Sequence, residues 1–260
     1  MSSSLIKFTI QHIQNFKKSN KPFATLTAYD YTSAKILDNA QIPLILVGDS
    51  ASMMVYGYST TLPVSMDEML FLVKAVCRGA KNSLVVADMP FLSYQPSIEE
   101  TIKNAGIFLK KGGASAVKLE GGVHMKSHIK ALVDCGIPTL GHTGLTPQSY
   151  HQLSGYKVQG KTPEGAQKII DDALAIQEAG AFGVVLECIP GELSKEITQT
   201  LSIPTIGIGS GSACDGQIQV FHDILGYTAN RPPKHAKQYD SMFSKIESAV
   251  KQYKKDIESS

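Results

Sequence analysis

Three carboxylates in this chain stand at the ends of short apolar runs, a placement that suits a single metal site. Asp49 closes Leu44-Ile45-Leu46-Val47-Gly48, Asp88 closes Leu84-Val85-Val86-Ala87, and Glu120 closes Ala116-Val117-Lys118-Leu119. A fourth acid, Glu187, closes Val184-Val185-Leu186. A charge at the end of a buried run is costly unless it is paired or bound to a metal. Oxygen-only donors, with no histidine or thiolate in the same motifs, favour Mg²⁺ over zinc, with Mn²⁺ or Ca²⁺ as substitutes. The competing reading makes the acids unrelated helix caps or ion-pair partners.

Other groups add to this chemistry. Lys118 and Glu120 are two apart on one run, so their side chains face the same way. Lys118 could bind a substrate carboxylate or ketone oxygen, pair with Glu120, or, stripped of its proton by burial, form a Schiff base. His142, in Thr139-Leu140-Gly141-His142-Thr143-Gly144, is a hydrogen-bonding and proton-transfer candidate or a structural histidine. Glu187 could accept a proton, or instead support Lys118 or the metal's waters. Cys188 beside it is a conceivable nucleophile, although a free cysteine is more often a small core residue. The four cysteines, Cys77, Cys135, Cys188 and Cys214, form no CxxC pair, which argues against zinc or a disulfide framework.

Positioning these residues takes strands that alternate with helices. Strands are expected at 23–29, 43–49, 84–88, 116–120, 138–142, 183–187 and 204–208, with a weaker eighth near 217–221. Helices fit at 32–40, 66–79, 97–111, 122–135, 163–179 and 191–201, several stopped by glycine. An amphipathic helix precedes the first strand at 5–18, and another ends the chain at 239–257. Acids repeated at one end of parallel strands define the rim of a (β/α)8 TIM barrel. The 260 residues suffice for one such domain over 1–260. The alternative, an open sheet with Gly207-Ile208-Gly209-Ser210-Gly211 as a nucleotide loop, lacks the G-x-G-x-x-G spacing. A net charge of +2 without basic runs gives no sign of nucleic-acid binding, and the apolar stretches are strand-sized rather than membrane-spanning. Residues 1–7 lack the apolar core of a signal peptide, so the expected location is the cytoplasm.

Motifs in order along the chain carry a resemblance. They include Thr27-Ala28-Tyr29-Asp30-Tyr31, Val47-Gly48-Asp49-Ser50, Thr61-Leu62-Pro63-Val64 and Ala87-Asp88-Met89-Pro90-Phe91. Val117-Lys118-Leu119-Glu120-Gly121-Gly122, Gly141-His142-Thr143-Gly144-Leu145-Thr146-Pro147-Gln148 and Leu186-Glu187-Cys188-Ile189-Pro190 continue the series. Together they resemble the ketopantoate hydroxymethyltransferase family, of the phosphoenolpyruvate mutase/isocitrate lyase-like barrels. The resemblance implies hydroxymethyl transfer from 5,10-methylenetetrahydrofolate to 3-methyl-2-oxobutanoate, giving ketopantoate for pantothenate and coenzyme A synthesis. It implies that Asp49 and Asp88 hold Mg²⁺, with Glu120 bound directly or through water. It further implies that Ser50 and Lys118 bind the ketoacid, His142 lines its pocket, and Glu187 removes the C3 proton. Asp49 and Asp88 would thus also border the substrate, and the assembly would be a homodecamer. Ser52, Ser59-Thr60 and Pro233-Lys234-His235-Ala236-Lys237 depart from the family pattern, and the short tail many members carry beyond the last helix is missing. These departures bear on the folate side and subunit contacts. Another Mg²⁺-dependent lyase or aldolase of small 2-oxoacids is the rival reading.

Overall fold

The computed structural model describes residues 6–229 and 232–259. They belong to two compact units, Met1–Ile218 and Gln219–Ser260. The first holds a closed barrel with its strands in sequence order. They are β1 (Phe23–Thr27), β2 (Leu44–Val47), β3 (Leu84–Asp88), β4 (Ala116–Lys118), β5 (Thr139–Gly144), β6 (Gly183–Glu187), β7 (Thr205–Ile208) and β8 (Gly216–Gln219), the last residue of β8 opening the second unit. Neighbouring strands pair in parallel from β1 through β8. Every residue of β2 and β3 is buried, which explains their unbroken apolar runs.

Helices α1 (Ile10–Lys18), α2 (Tyr31–Asn39), α3 (Ala51–Met54), α4 (Met66–Gly79), α5 (Ile98–Ile107), α6 (Lys126–Asp134), α7 (Pro163–Glu178) and α8 (Gly191–Thr200) lie between or before the strands. Their starts are written in side chains. Asp30 accepts from the Thr32 and Ser33 amides, Ser65 and Glu68 form a capping box, and Thr162 precedes a proline at the first turn of α7. In the second unit, α9 (Phe221–Leu225) is followed by α10 (Met242–Glu258), none of whose residues is buried.

Several boundaries differ from expectation. The helix expected over 5–18 starts at Ile10, because Thr9 caps it through His12 Nδ1 while the Phe8 amide bonds Asn82 O at 2.7 Å. Leu5 lies outside the described residues. The stretch 97–111 divides into α5 and a π-helical turn, Phe108–Gly112, stopped by Gly113 at φ 83°. The strands expected over 43–49 and 116–120 end before Asp49 and Glu120, which therefore sit on rim loops. The terminal helix begins at Met242 rather than 239, since the Tyr239 amide is engaged by Ile224 O at 2.7 Å. The short helix α3 and the 3₁₀ turn Pro147–Ser149 carry no periodicity that would announce them.

The N-terminal ends of the strands meet in an apolar cluster that includes Phe23, Leu44, Leu84, Ala116, Phe182, Ile206 and Ile218. Helix α1 covers it, inserting the fully buried Ile13, with Phe8, Ile10 and Phe16 packed around it. Among the described residues no helix is long and apolar enough to cross a membrane.

Candidate active site

The opposite rim gathers the polar side chains. Asp88 ends β3 and Lys118 ends β4, and the register sets them side by side. His142 lies within β5, Glu187 ends β6, and Gly144 stands across from Glu187. Gly144 has φ 94°, and a Cβ there would lie 2.4 Å from the Glu187 carbonyl, so only glycine fits beside that acid.

Lys118 Nζ donates to Asp88 Oδ1 at 2.8 Å and lies 3.9 Å from Glu120 Oε1. The other Asp88 oxygen accepts the Asp49 amide at 3.1 Å. His142 stands between two acids, with Nδ1 3.5 Å from Glu120 Oε1 and Nε2 3.2 Å from Glu187 Oε2. Both contacts are off-line, so neither nitrogen has a well-formed hydrogen bond. Ser50 Oγ shares a 2.8 Å hydrogen bond with the Tyr29 hydroxyl. Asp49, Asp88, Lys118, Glu120 and His142 are all buried, while Glu187 is the more open member of the group.

Burial, then the charges of Asp88 and Glu120, holds the Asp49 carboxyl well above its usual range. Burial opposes a charge on Lys118, but Asp88, Glu120 and Asp49 outweigh it and keep the ammonium protonated. That leaves Lys118 a poor Schiff-base amine, since such chemistry needs a free lone pair. For His142, burial and Lys118 work downward, yet Glu120 and Glu187 lift its pKa to about 9. Burial, followed by Glu187, pushes the Cys188 thiol up to about 11, which disfavours a thiolate nucleophile. The Gly207–Gly211 segment forms the end of β7 and the turn toward β8, with no helix following it as a nucleotide loop requires.

Four carboxyl groups, those of Asp49, Asp88, Glu120 and Glu187, stand against two cationic groups, Lys118 and His142, and Glu120 Oε1 is buried with no hydrogen-bond partner. Both features suit a divalent cation. Among the described residues, no three His, Cys, Asp or Glu side chains converge closely enough to cage one. This is compatible with Mg²⁺, which typically takes one or two protein carboxylates and fills its octahedron with water and substrate oxygens.

Sequence reasoning gave no role to Gln148, Tyr94 or Tyr156. Gln148 Nε2 donates to Asp49 Oδ2 at 3.0 Å and Met89 O at 2.9 Å, and its own amide donates to Glu120 Oε2 at 3.0 Å. Its Oε1 accepts from Tyr94 OH at 2.8 Å and Gln95 Nε2 at 3.2 Å. The Tyr156 hydroxyl is pushed up to about 12 by burial, then Asp49, which puts it within the field of the acids. Neutral polar residues in loops leave no periodic trace. The one available signal was that Gln148 ends the Gly141–Gln148 motif.

The fold is that of the phosphoenolpyruvate mutase/isocitrate lyase-like barrels. A phosphoenolpyruvate phosphomutase from Streptomyces platensis subsp. rosaceus superposes with a TM-score of 0.65 over 96% of this chain and 88% of that one, at 11% identity. A 2,3-dimethylmalate lyase of the PEP mutase/isocitrate lyase superfamily gives 0.58 over 80% of each chain, at 16% identity. Sequence comparison is closer. The 3-methyl-2-oxobutanoate hydroxymethyltransferase of Dehalococcoides mccartyi (strain CBDB1) is 52% identical over 252 residues, 97% of this chain and 90% of that protein. The enzyme of that name from Carboxydothermus hydrogenoformans is 51% identical over 251 residues, 96% and 91% of the two chains. The ketopantoate hydroxymethyltransferase family model matches residues 7–260, and the chain belongs to that family.

Proposed function

We propose that this protein transfers a hydroxymethyl group from 5,10-methylenetetrahydrofolate to 3-methyl-2-oxobutanoate, producing ketopantoate for pantothenate and coenzyme A synthesis. The observation that carries this reading is half-identity to enzymes of that name over nearly the whole chain. The residues of the rim are of the kinds the reaction needs.

Asp49 and Asp88 would hold Mg²⁺, with Glu120 bound directly or through water. When bound, the ion supplies positive charge that polarises the ketoacid's carbonyl and favours its enolate. Lys118, kept charged by Asp88, orients the ketoacid through its oxygens, and Ser50, fixed by Tyr29, helps bind it. His142 lines the pocket, its Nε2 3.2 Å from Glu187 Oε2. Glu187 removes the C3 proton, a step that needs a base held against a weakly acidic carbon. Water opens the methylene bridge of the folate, releasing its carbon at the oxidation level of formaldehyde. The enolate carbon bonds to that carbon, the water oxygen becomes the new hydroxyl, and tetrahydrofolate leaves. In this reading residues 1–260 act as one barrel domain, in a cytoplasmic homodecamer whose size mass photometry measures.

Exchange of the C3 proton of 3-methyl-2-oxobutanoate into D₂O, with and without Mg²⁺ and tetrahydrofolate, tests the chemistry. Exchange that needs Mg²⁺, together with ketopantoate formation that needs the folate, is the expected result. Carbon–carbon chemistry on a 2-oxoacid without folate would instead select a lyase or aldolase.

A further inference from the structure

Gln148 is buried at 5% exposure in the midst of the acids, and it is neutral. Both protons of its side-chain amide are committed, one to Asp49 Oδ2 and one to Met89 O. Its oxygen receives Tyr94 OH and Gln95 Nε2, so the orientation of the amide is over-determined. A flipped amide would set oxygen against the Asp49 carboxylate and the Met89 carbonyl. From the same residue, the main-chain amide holds Glu120 Oε2. One residue thus fixes carboxylates that belong to the loops after β2 and β4, and it does so from the 3₁₀ turn after β5. Tyr94 extends the clamp, donating to Gln148 and standing 3.2 Å from the Glu120 amide that it accepts.

The choice of an amide has a physical reason. A lysine would cancel the surplus negative charge that draws a cation. A glutamate would add a like charge against Asp49. Glutamine donates to the carboxylate, accepts from the tyrosine, and leaves the net charge untouched.

We propose that Gln148 is the positioning residue of the acidic centre, holding Asp49 in place for a divalent cation and so for the ketoacid that shares it. The inference rests on the reading of the site given above. Removing a group that holds a metal-binding side chain typically weakens metal affinity about ten- to a hundredfold. Because the main-chain bond to Glu120 survives substitution, the loss should fall on the Asp49 side of the site.

The test is a titration of folded protein with Mn²⁺ alone, followed by electron paramagnetic resonance, for wild type, Gln148→Met and Tyr94→Phe. Gln148→Met keeps the length of the side chain and removes its hydrogen bonds. The expected result is a ten- to hundredfold weaker Mn²⁺ dissociation constant for Gln148→Met, and a smaller weakening for Tyr94→Phe. The KM for the ketoacid should rise in parallel at subsaturating metal, with kcat recovering as Mn²⁺ is raised. Unchanged Mn²⁺ affinity in Gln148→Met, with only a lower melting temperature, would overturn the proposal and leave Gln148 a structural residue. If Gln148→Met does not fold, Tyr94→Phe decides, and wild-type affinity there overturns it equally. A wild-type protein that binds no Mn²⁺ overturns the metal reading itself, an outcome distinct from failure of the Gln148 inference.

Discussion

The two ends of one barrel are built from the same strands and have opposite chemistry. At the N-terminal end, Leu44, Leu84 and Ala116 meet hydrocarbon from α1, and Ile13 is buried completely. At the C-terminal end, the same three strands lead to Asp49, Asp88 and Glu120, whose charges are set against Lys118 and His142. A few residues of strand therefore separate close packing from a concentration of buried charge. The apolar end provides the stability from which the charged end draws, since buried ions are poor stabilisers by themselves. Damage to the rim should then cost activity before stability, and damage to the plug the reverse.

The largest effect is expected at Asp88, which pairs with Lys118 and is proposed to hold the cation. Asp88→Ala should reduce turnover by on the order of a thousandfold, and no Mg²⁺ concentration should restore it. Near wild-type turnover of either Asp88→Ala or Asp49→Ala, or full activity in EDTA, would sink the metal assignment. Glu187→Gln keeps shape and hydrogen bonding but removes basicity. It should bind ketoacid and Mg²⁺ normally yet lose C3 exchange by on the order of a hundredfold or more. Wild-type exchange in that variant would pass the role of base to His142.

At the plug the sign reverses. Ile13→Ala should lower stability by about 2–5 kcal/mol, the usual cost of a large core truncation, while leaving kcat/KM at 25 °C within twofold or so. A large loss of kcat/KM with unchanged melting would break the contrast between the ends.

Asp38, at the end of α2, is an intermediate case, a buried charge used for architecture. It accepts from the amides of Asn82 and Ser83 at 2.8 Å each and from both their side chains. Burial works to raise its pKa, but the Ser83 and Asn82 amides outweigh it and hold the carboxyl below its ordinary value. The charged form is therefore favoured by folding, and its contribution is present above the unfolded pKa of about 4 and lost as pH falls through the lower folded value. Asp38→Ala should cost roughly 2–4 kcal/mol at pH 7, and urea melts should show the gap narrowing below about pH 4. A gap that widens on acidification would refute this. The smallest effect belongs to Cys188→Ala, expected to change turnover by less than about threefold, as for a residue outside the chemistry.

The acids of the rim were legible because each one interrupts an apolar run, where a charge has no cheap explanation. The strand order followed from helix-length spacing between those runs. Two kinds of information were not in the pattern. Lys118 was read against Glu120, its neighbour in sequence, but pairing of β3 with β4 brings Asp88 closer, 2.8 Å against 3.9 Å. Gln148 was invisible as a clamp because its partners are 28 to 99 residues away and its type carries no charge. The start of the first helix at Ile10 was likewise missed, since Thr9 and His12 form a cap in which histidine takes the place of the usual Glu or Gln.

Helix α1 also sets an order of events during synthesis. Lys17 Nζ reaches Thr198 O at 2.7 Å and Asp215 Oδ2 at 3.0 Å, across 181 and 198 positions of sequence. The plug therefore leaves the ribosome long before Phe182, Ile206 and Ile218, the last residues of the cluster it seals. Until they arrive, its apolar face has only part of its native cover, from Phe23, Leu44, Leu84 and Ala116, and a long loop must close before the rest is gained. A nascent chain stalled before β7 would carry this apolar segment only partly covered, as a handle for chaperones and a nucleus for aggregation.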